Sequence, residues 1–194
     1  MGTIRNKNEH DYWNIFIGGL LQDEYEPHGI FRLYDRVNEL DKYNAYCEFY
    51  TWDENWKAIA RKIFLLSKLH KRIPIIKICA YSWGTWGAKQ LTKYLGHFGF
   101  TVTDLLMVDP VYKMKYVPIL TLFSKNVYMP ANIEHIAYYK QENKWPKGHD
   151  VYQENSYSYD FIPPIKIIPD FNHEGMDDLS EFHDLVINKM IYCL

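Results

Sequence analysis

Short apolar runs alternate with amphipathic stretches along nearly the whole chain, and this alternation limits the possible folds more than any other feature. Trp13-Asn14-Ile15-Phe16-Ile17 reads as a buried strand that ends at Gly18-Gly19. Residues 28–41 then place Ile30, Leu33, Tyr34, Val37 and Leu40 on one helical face. Tyr46-Cys47-Glu48-Phe49-Tyr50 is a second strand. Asp53 can cap a helix running to His70, with Trp56, Ile59, Ala60, Ile63, Phe64 and Leu69 as its apolar face. Ile75-Ile76-Lys77-Ile78-Cys79-Ala80 is a third, central strand, and a helix over residues 85–95 follows, stopped by Gly96. Residues 104–108, 133–139 and 164–168 supply three further strands, and Ser180 can cap a last helix carrying Phe182, Leu185, Val186 and Met190. Strand–helix alternation of this kind predicts an α/β three-layer sandwich around a mostly parallel sheet of about six strands. Right-handed crossovers put helices on both faces, and ligands then bind beyond the carboxyl ends of the strands.

The chain has 194 residues, 47% hydrophobic and 24% charged, which suits one domain over 1–194 with a real core. A formal net charge of -2 offers no basic surface for nucleic acid. Three cysteines, Cys47, Cys79 and Cys193, are too few and too scattered for a disulfide framework or a metal cluster, so they read as free thiols in a reducing compartment. No signal core precedes the first strand and no apolar stretch is long enough to span a bilayer, so a cytoplasmic location is expected. Oligomeric state has no signature in the sequence.

Three polar residues stand just beyond expected strand ends: Ser82, Asp109 and His173. Ser82 lies in Cys79-Ala80-Tyr81-Ser82-Trp83-Gly84, a strand–turn–helix junction with small residues two positions either side of the serine. So sharp a turn needs small flanking residues, and it exposes the serine hydroxyl at a helix N-terminus, where developing negative charge is favoured. Gly87 would let that helix approach the sheet closely. The competing reading is a helix-capping serine. A nucleophilic serine needs a base, and the base needs an orienting acid. Of eight histidines, His173 alone combines a late loop with a strand end, although an exposed loop histidine would look the same. Asp109 follows the strand after the nucleophile helix, in Val108-Asp109-Pro110, a dipeptide that also suits a plain turn. Asp150, Glu142 and Asp170 are fallback acids. An oxyanion site would use the N–H of Trp83 and that of Leu20 or Gly19, in the turn after the first strand. Gly18-Gly19 could equally be strand punctuation, and no dinucleotide fingerprint accompanies it. Trp86 and Tyr81 are candidates for substrate contact.

These segments together resemble the α/β-hydrolase superfamily over nearly the whole chain, and most closely its small bacterial or phage lipase- and esterase-like members. Ile15-Phe16-Ile17-Gly18-Gly19, Ala80-Tyr81-Ser82-Trp83-Gly84, Val108-Asp109-Pro110-Val111 and Asn172-His173 carry the resemblance. It implies a minimal α/β-hydrolase fold that lacks the family's opening hairpin. The acid of such lipases follows the strand after the nucleophile helix, which favours Asp109. The departures are Ala80 in place of the usual glycine and the bulky Trp83 and Trp86 around the turn.

The implied activity is cleavage of a small-molecule carboxylic ester or thioester through a Ser82–His173–Asp109 triad, with no metal or organic cofactor. Two rivals share the strand ends: a non-catalytic binding protein that keeps the cleft, and a flavodoxin-like or nucleotide-binding module, for which no convincing phosphate loop is present. Residues 112–130 are long and apolar for a connection and are expected to form a lid, a pocket wall or a short buried helix. Residues 143–159 read as a polar surface loop, and Asp23 as a solvated residue, with orienting the oxyanion turn or binding substrate as the alternatives.

Overall fold

The computed structural model describes residues 10–20, 22, 28–41, 45–111, 126–143, 146–154, 165–169 and 171–192. In chain order the elements are β1 (His10–Ile17), α1 (Gly29–Leu40), β2 (Tyr46–Tyr50), α2 (Trp56–His70), β3 (Ile73–Tyr81), α3 (Gly84–His97) and β4 (Val102–Val108). Then come β5 (Asn126–Met129), β6 (Ile133–Lys140), β7 (Asp150–Gln153), β8 (Ile165–Ile167), a 3-10 turn (His173–Asp178) and α4 (Ser180–Ile187), which runs on into a π turn (Asn188–Tyr192). Six strands form one sheet in the order β2-β1-β3-β4-β6-β8, and every neighbouring pair is parallel.

Alternation along the central strands builds two cores. Trp13, Ile15 and Ile17 of β1, Ile76, Ile78 and Ala80 of β3, and Leu105 and Met107 of β4 join residues of α2 and α3 on one face. Phe16, Cys79, Tyr81, Leu106 and Val108 point the other way, against α1, α4 and the segments beside it. Burial on both sides accounts for the continuous apolar runs of the central strands. One row on the α1/α4 face breaks the pattern. Asn14 pairs with Lys77 and Lys77 with Asp104 across β1, β3 and β4, and all three are buried. The Lys77 ammonium donates to the Lys189 carbonyl at 2.5 Å, while Lys189 Nζ lies 3.5 Å from Asp104 Oδ1. A buried charge needs such partners, so the last turns of the chain are held to the middle of the sheet by polar contacts as well as apolar ones.

The chain runs from β1 outward to β2, then returns to the other side of β1 for β3. The order therefore reverses between β1 and β3, and their carboxyl ends flank the topological switch point.

Several local expectations change. The sheet is wholly parallel. Asn55, not Asp53, caps α2, accepting from the Ala58 N–H at 3.1 Å. Leu69 is 74% exposed because its helical phase falls off the buried stripe of Trp56, Ile59, Ala60 and Ile63, and Leu40, the last residue of α1, is also exposed. Helix α3 passes Gly96, and the left-handed residue beyond it is Gly99. Ser180 begins α4 but makes no side-chain cap. Gly87 serves α2 and not the sheet: a Cβ there would collide with the Trp56 ring. A two-stranded parallel sheet, β5 with β7, lies within segments read as a lid and a surface loop. Val127, Met129 and Val151 anchor it to the α2/α3 core. Residues 112–125 of the expected lid, with Asp23, Asp170 and Cys193, lie outside the described residues. Cys47 and Cys79 are free thiols. Among the described residues no helix is long and apolar enough to cross a membrane.

Candidate functional site

Ser82 follows the last residue of β3 and precedes the first turn of α3, with φ at 51°. A side-chain-bearing residue in this left-handed region is strained, so surrounding contacts must hold it there. The Ser82 N–H donates to the Val108 carbonyl at 3.2 Å, and the Ser82 carbonyl accepts from Thr85 at 3.0 Å and Val111 at 3.2 Å. Gly84 lets α3 start directly against the end of β1, since a Cβ would overlap the Ile17 carbonyl oxygen. The Gly18 carbonyl oxygen is also within 2.9 Å of that Cβ, and neither backbone group can rotate away. Gly84→Ala is therefore expected to destabilise the fold by about 1–3 kcal/mol, seen as a lower urea midpoint. An unchanged midpoint would mean that the junction is loose.

The serine side chain does not cap the helix. Its Oγ lies 2.7 Å from His173 Nε2, across 91 residues of sequence. His173 Nδ1 lies 2.5 Å from Asp109 Oδ2. Two side chains at the ends of β3 and β4 and a third from the 3-10 turn after β8 thus form one hydrogen-bonded line. His173 is the first residue of the 3-10 turn, which Asn172 caps by accepting from the Gly175 N–H at 2.9 Å. Tyr81 holds it from beneath: the rings stack at 5.2 Å, and the Tyr81 hydroxyl donates to the His173 carbonyl at 2.6 Å. Burial, reinforced by the Asp177 and Asp109 carboxylates, raises the Tyr81 pKa and keeps it a donor. Tyr81, expected to touch substrate, is itself buried; its place is under the imidazole.

Asp109 is wholly buried and also has positive φ, 44°. Its Oδ1 accepts from the Gln141 N–H at 3.1 Å, and its Oδ2 from Gln141 Nε2 at 3.2 Å. Gln141 is fixed in turn, donating to the Pro146 carbonyl at 2.8 Å and accepting from the Asn143 N–H at 2.9 Å. Gly148 lies so close that a Cβ there would overlap Asp109 Oδ1. Burial lowers the pKa of neighbouring His149 and outweighs the opposing pull of the Asp109 and Asp150 carboxylates. The fallback acids Asp150 and Glu142 lie elsewhere, paired with Lys140 at 2.6 and 2.8 Å. Gln141 and Gly148 escaped the sequence reading because they fall in irregular backbone, where no periodicity marks a residue as buried.

The turn after β1 abuts Ser82: a Cβ on Gly19 would lie 3.0 Å from that of the serine. Of the two donors expected there, the Gly19 N–H is taken by Gln22 Oε1 at 2.9 Å. Leu20 sits at the tip of the turn, 43% exposed, and no group among the described residues accepts from its N–H. Trp83 and Trp86 are half-buried and both meet Trp52 edge-on, at 5.2 and 6.4 Å, forming an aromatic wall beside the elbow. Trp52, at the end of β2, was not singled out from the sequence. Among the described residues no group of three or more His, Cys, Asp or Glu is arranged to hold a metal ion.

An activatable hydroxyl, an imidazole and a buried carboxylate in series can generate a nucleophile and return its proton to a leaving group. Set beside known proteins, the chain matches no protein-family model and no curated protein.

Proposed function

We propose that the protein is a serine hydrolase of the α/β-hydrolase type, cleaving a carboxylic ester or thioester by acyl transfer to water. The observation that carries this reading is the continuous Ser82–His173–Asp109 line, 2.7 and 2.5 Å per step. The strained elbow at Ser82 and its position beside the β1/β3 switch point support it.

With Nδ1 protonated and donating to Asp109, the Nε2 lone pair of His173 faces the Ser82 hydroxyl. Ser82 Oγ attacks the carbonyl carbon as Nε2 takes its proton. The tetrahedral oxyanion accepts from the N–H groups of Trp83 and Leu20. The imidazolium, stabilised by Asp109, then protonates the departing alcohol or thiol and leaves an acyl-serine. Water, losing a proton to Nε2, attacks the acyl carbon; collapse releases the acid and returns the proton to Ser82. The Trp52–Trp83–Trp86 wall gives the acyl or leaving group an apolar surface to lie on.

A fluorophosphonate probe followed by peptide mapping tests the reading. Labelling at Ser82, with turnover across p-nitrophenyl esters of rising acyl length, is the expected result. An unlabelled Ser82 in folded protein would instead favour a non-catalytic binding cleft. Gly148→Ala probes the acid from behind. Its methyl group must displace the Asp109 carboxylate or the 146–149 backbone, so labelling and turnover should each slow by about tenfold or more. Wild-type rates would show that the acid's position does not matter to the chemistry.

A further inference from the structure

The loop that would hold the oxyanion is irregular backbone and needs anchoring from outside itself to be preorganised. That anchor is a side-chain relay. The Gln22 N–H donates to the Gly19 carbonyl at 3.3 Å, while Gln22 Oε1 accepts from the Gly19 N–H at 2.9 Å, so backbone and side chain close the same turn. Gln22 Nε2 donates to Asp177 Oδ2 at 2.7 Å, across 155 residues of sequence. Asp177 lies in the 3-10 turn that begins with His173 and is 2% exposed. The same carboxyl group accepts from the Ile30 N–H in the first turn of α1. Gly29 permits this contact, because a Cβ there would overlap the Asp177 carbonyl. A ring nitrogen of His183 lies 2.6 Å from that carbonyl oxygen.

We infer that Gln22 and Asp177 are a positioning pair, joining the oxyanion loop to the turn that carries the base so that both halves of the site keep one geometry. The inference rests on the hydrolase reading of the site. The pair gives Gly19 a structural duty and leaves Leu20 as the loop's donor to substrate. Neither Gln22 nor Asp177 touches a reacting atom. Burial raises the Asp177 pKa, and the Gln22 amide and Ile30 N–H both pull against that rise, as partners of an ionised carboxylate should.

A donor–acceptor swap tests it. Gln22→Glu alone sets two carboxylates face to face and breaks the relay. Combined with Asp177→Asn, the introduced carboxylate can accept from both the Gly19 N–H and the introduced amide, whose oxygen still accepts from Ile30. On p-nitrophenyl acetate, Gln22→Ala and Gln22→Glu should each lower kcat about tenfold or more, with KM within about twofold. Affinity for phenylboronic acid, which forms a tetrahedral adduct on the serine, should fall in parallel. The double variant should recover most of both losses. Independently of activity, the Gly19 amide should exchange its hydrogen at least about tenfold faster in Gln22→Ala.

An unchanged kcat in Gln22→Ala, a double variant no better than Gln22→Glu, or unchanged Gly19 exchange would each overturn the pair while leaving the hydrolase reading intact. A wild-type protein that neither labels at Ser82 nor turns over ester would remove both.

Discussion

Ser82→Ala is expected to lower ester turnover by about 10⁶-fold while leaving the fold in place. Members of a triad act as a unit, so removing the nucleophile costs nearly as much as removing all three, and the remainder comes from the oxyanion donors and binding. Stability should move by less than about 1 kcal/mol. Alanine keeps the Cβ that strains the elbow at φ 51°, and His173 keeps its contacts to Asp109 and Tyr81. Ser82→Gly should be just as inactive yet more stable than Ser82→Ala, by about 1 kcal/mol, because glycine meets no penalty in that region. Equal turnover in wild type and Ser82→Ala would refute the nucleophile, and equal unfolding midpoints for the two variants would refute the strain.

Asp109→Asn should lower kcat by about 10⁴-fold, the effect of presenting the imidazole in the wrong tautomer. The same variant also tests the plain-turn reading. Asparagine is among the residues most tolerant of a left-handed conformation, so at a simple turn with φ of 44° the change would be neutral or stabilising. In the site it cannot be. Both carboxylate oxygens already accept, one from the Gln141 N–H and the other from Gln141 Nε2 and His173 Nδ1. Either orientation of an amide therefore turns an NH₂ group toward a donor. A buried mismatch of this kind costs about 1–3 kcal/mol, so activity and urea midpoint should fall together. Retention of either one would separate Asp109 from the role given to it here.

Much of this arrangement was legible in the sequence because it depends on strand ends. β1, β3 and β4 are buried on both faces, so they stand out as apolar runs, and the first polar residues beyond β3 and β4 are Ser82 and Asp109. His173 then stands out as the histidine of a late loop that follows a strand. What holds these side chains was not legible. Gln141, Gly148 and Gln22 act through side-chain and loop-backbone hydrogen bonds or an absent methyl group, and such contacts leave no periodic trace. β5 and β7 are four residues each and pair with one another across a whole strand and its loops, too short for alternation to distinguish them from connecting chain. Tyr81 was misplaced for a simpler reason. Its neighbour Ser82 turns out of the strand, but Tyr81 still obeys the strand's alternation and points into the α1/α4 core.

The buried Lys77 ammonium has a consequence for how the chain is made. Its acceptor, the Lys189 carbonyl, is synthesised 112 residues later. At about 5–20 residues per second, that is a wait of roughly 6–22 s. Until then the ammonium lacks that carbonyl, so closing this face of the sheet would bury the charge short of one of its partners. The segment that relieves it, residues 171–192, also brings His173. A nascent chain therefore carries Ser82 early and His173 late, and the Lys189 carbonyl reaches the central ammonium in the same docking event that brings the imidazole to the Ser82 hydroxyl.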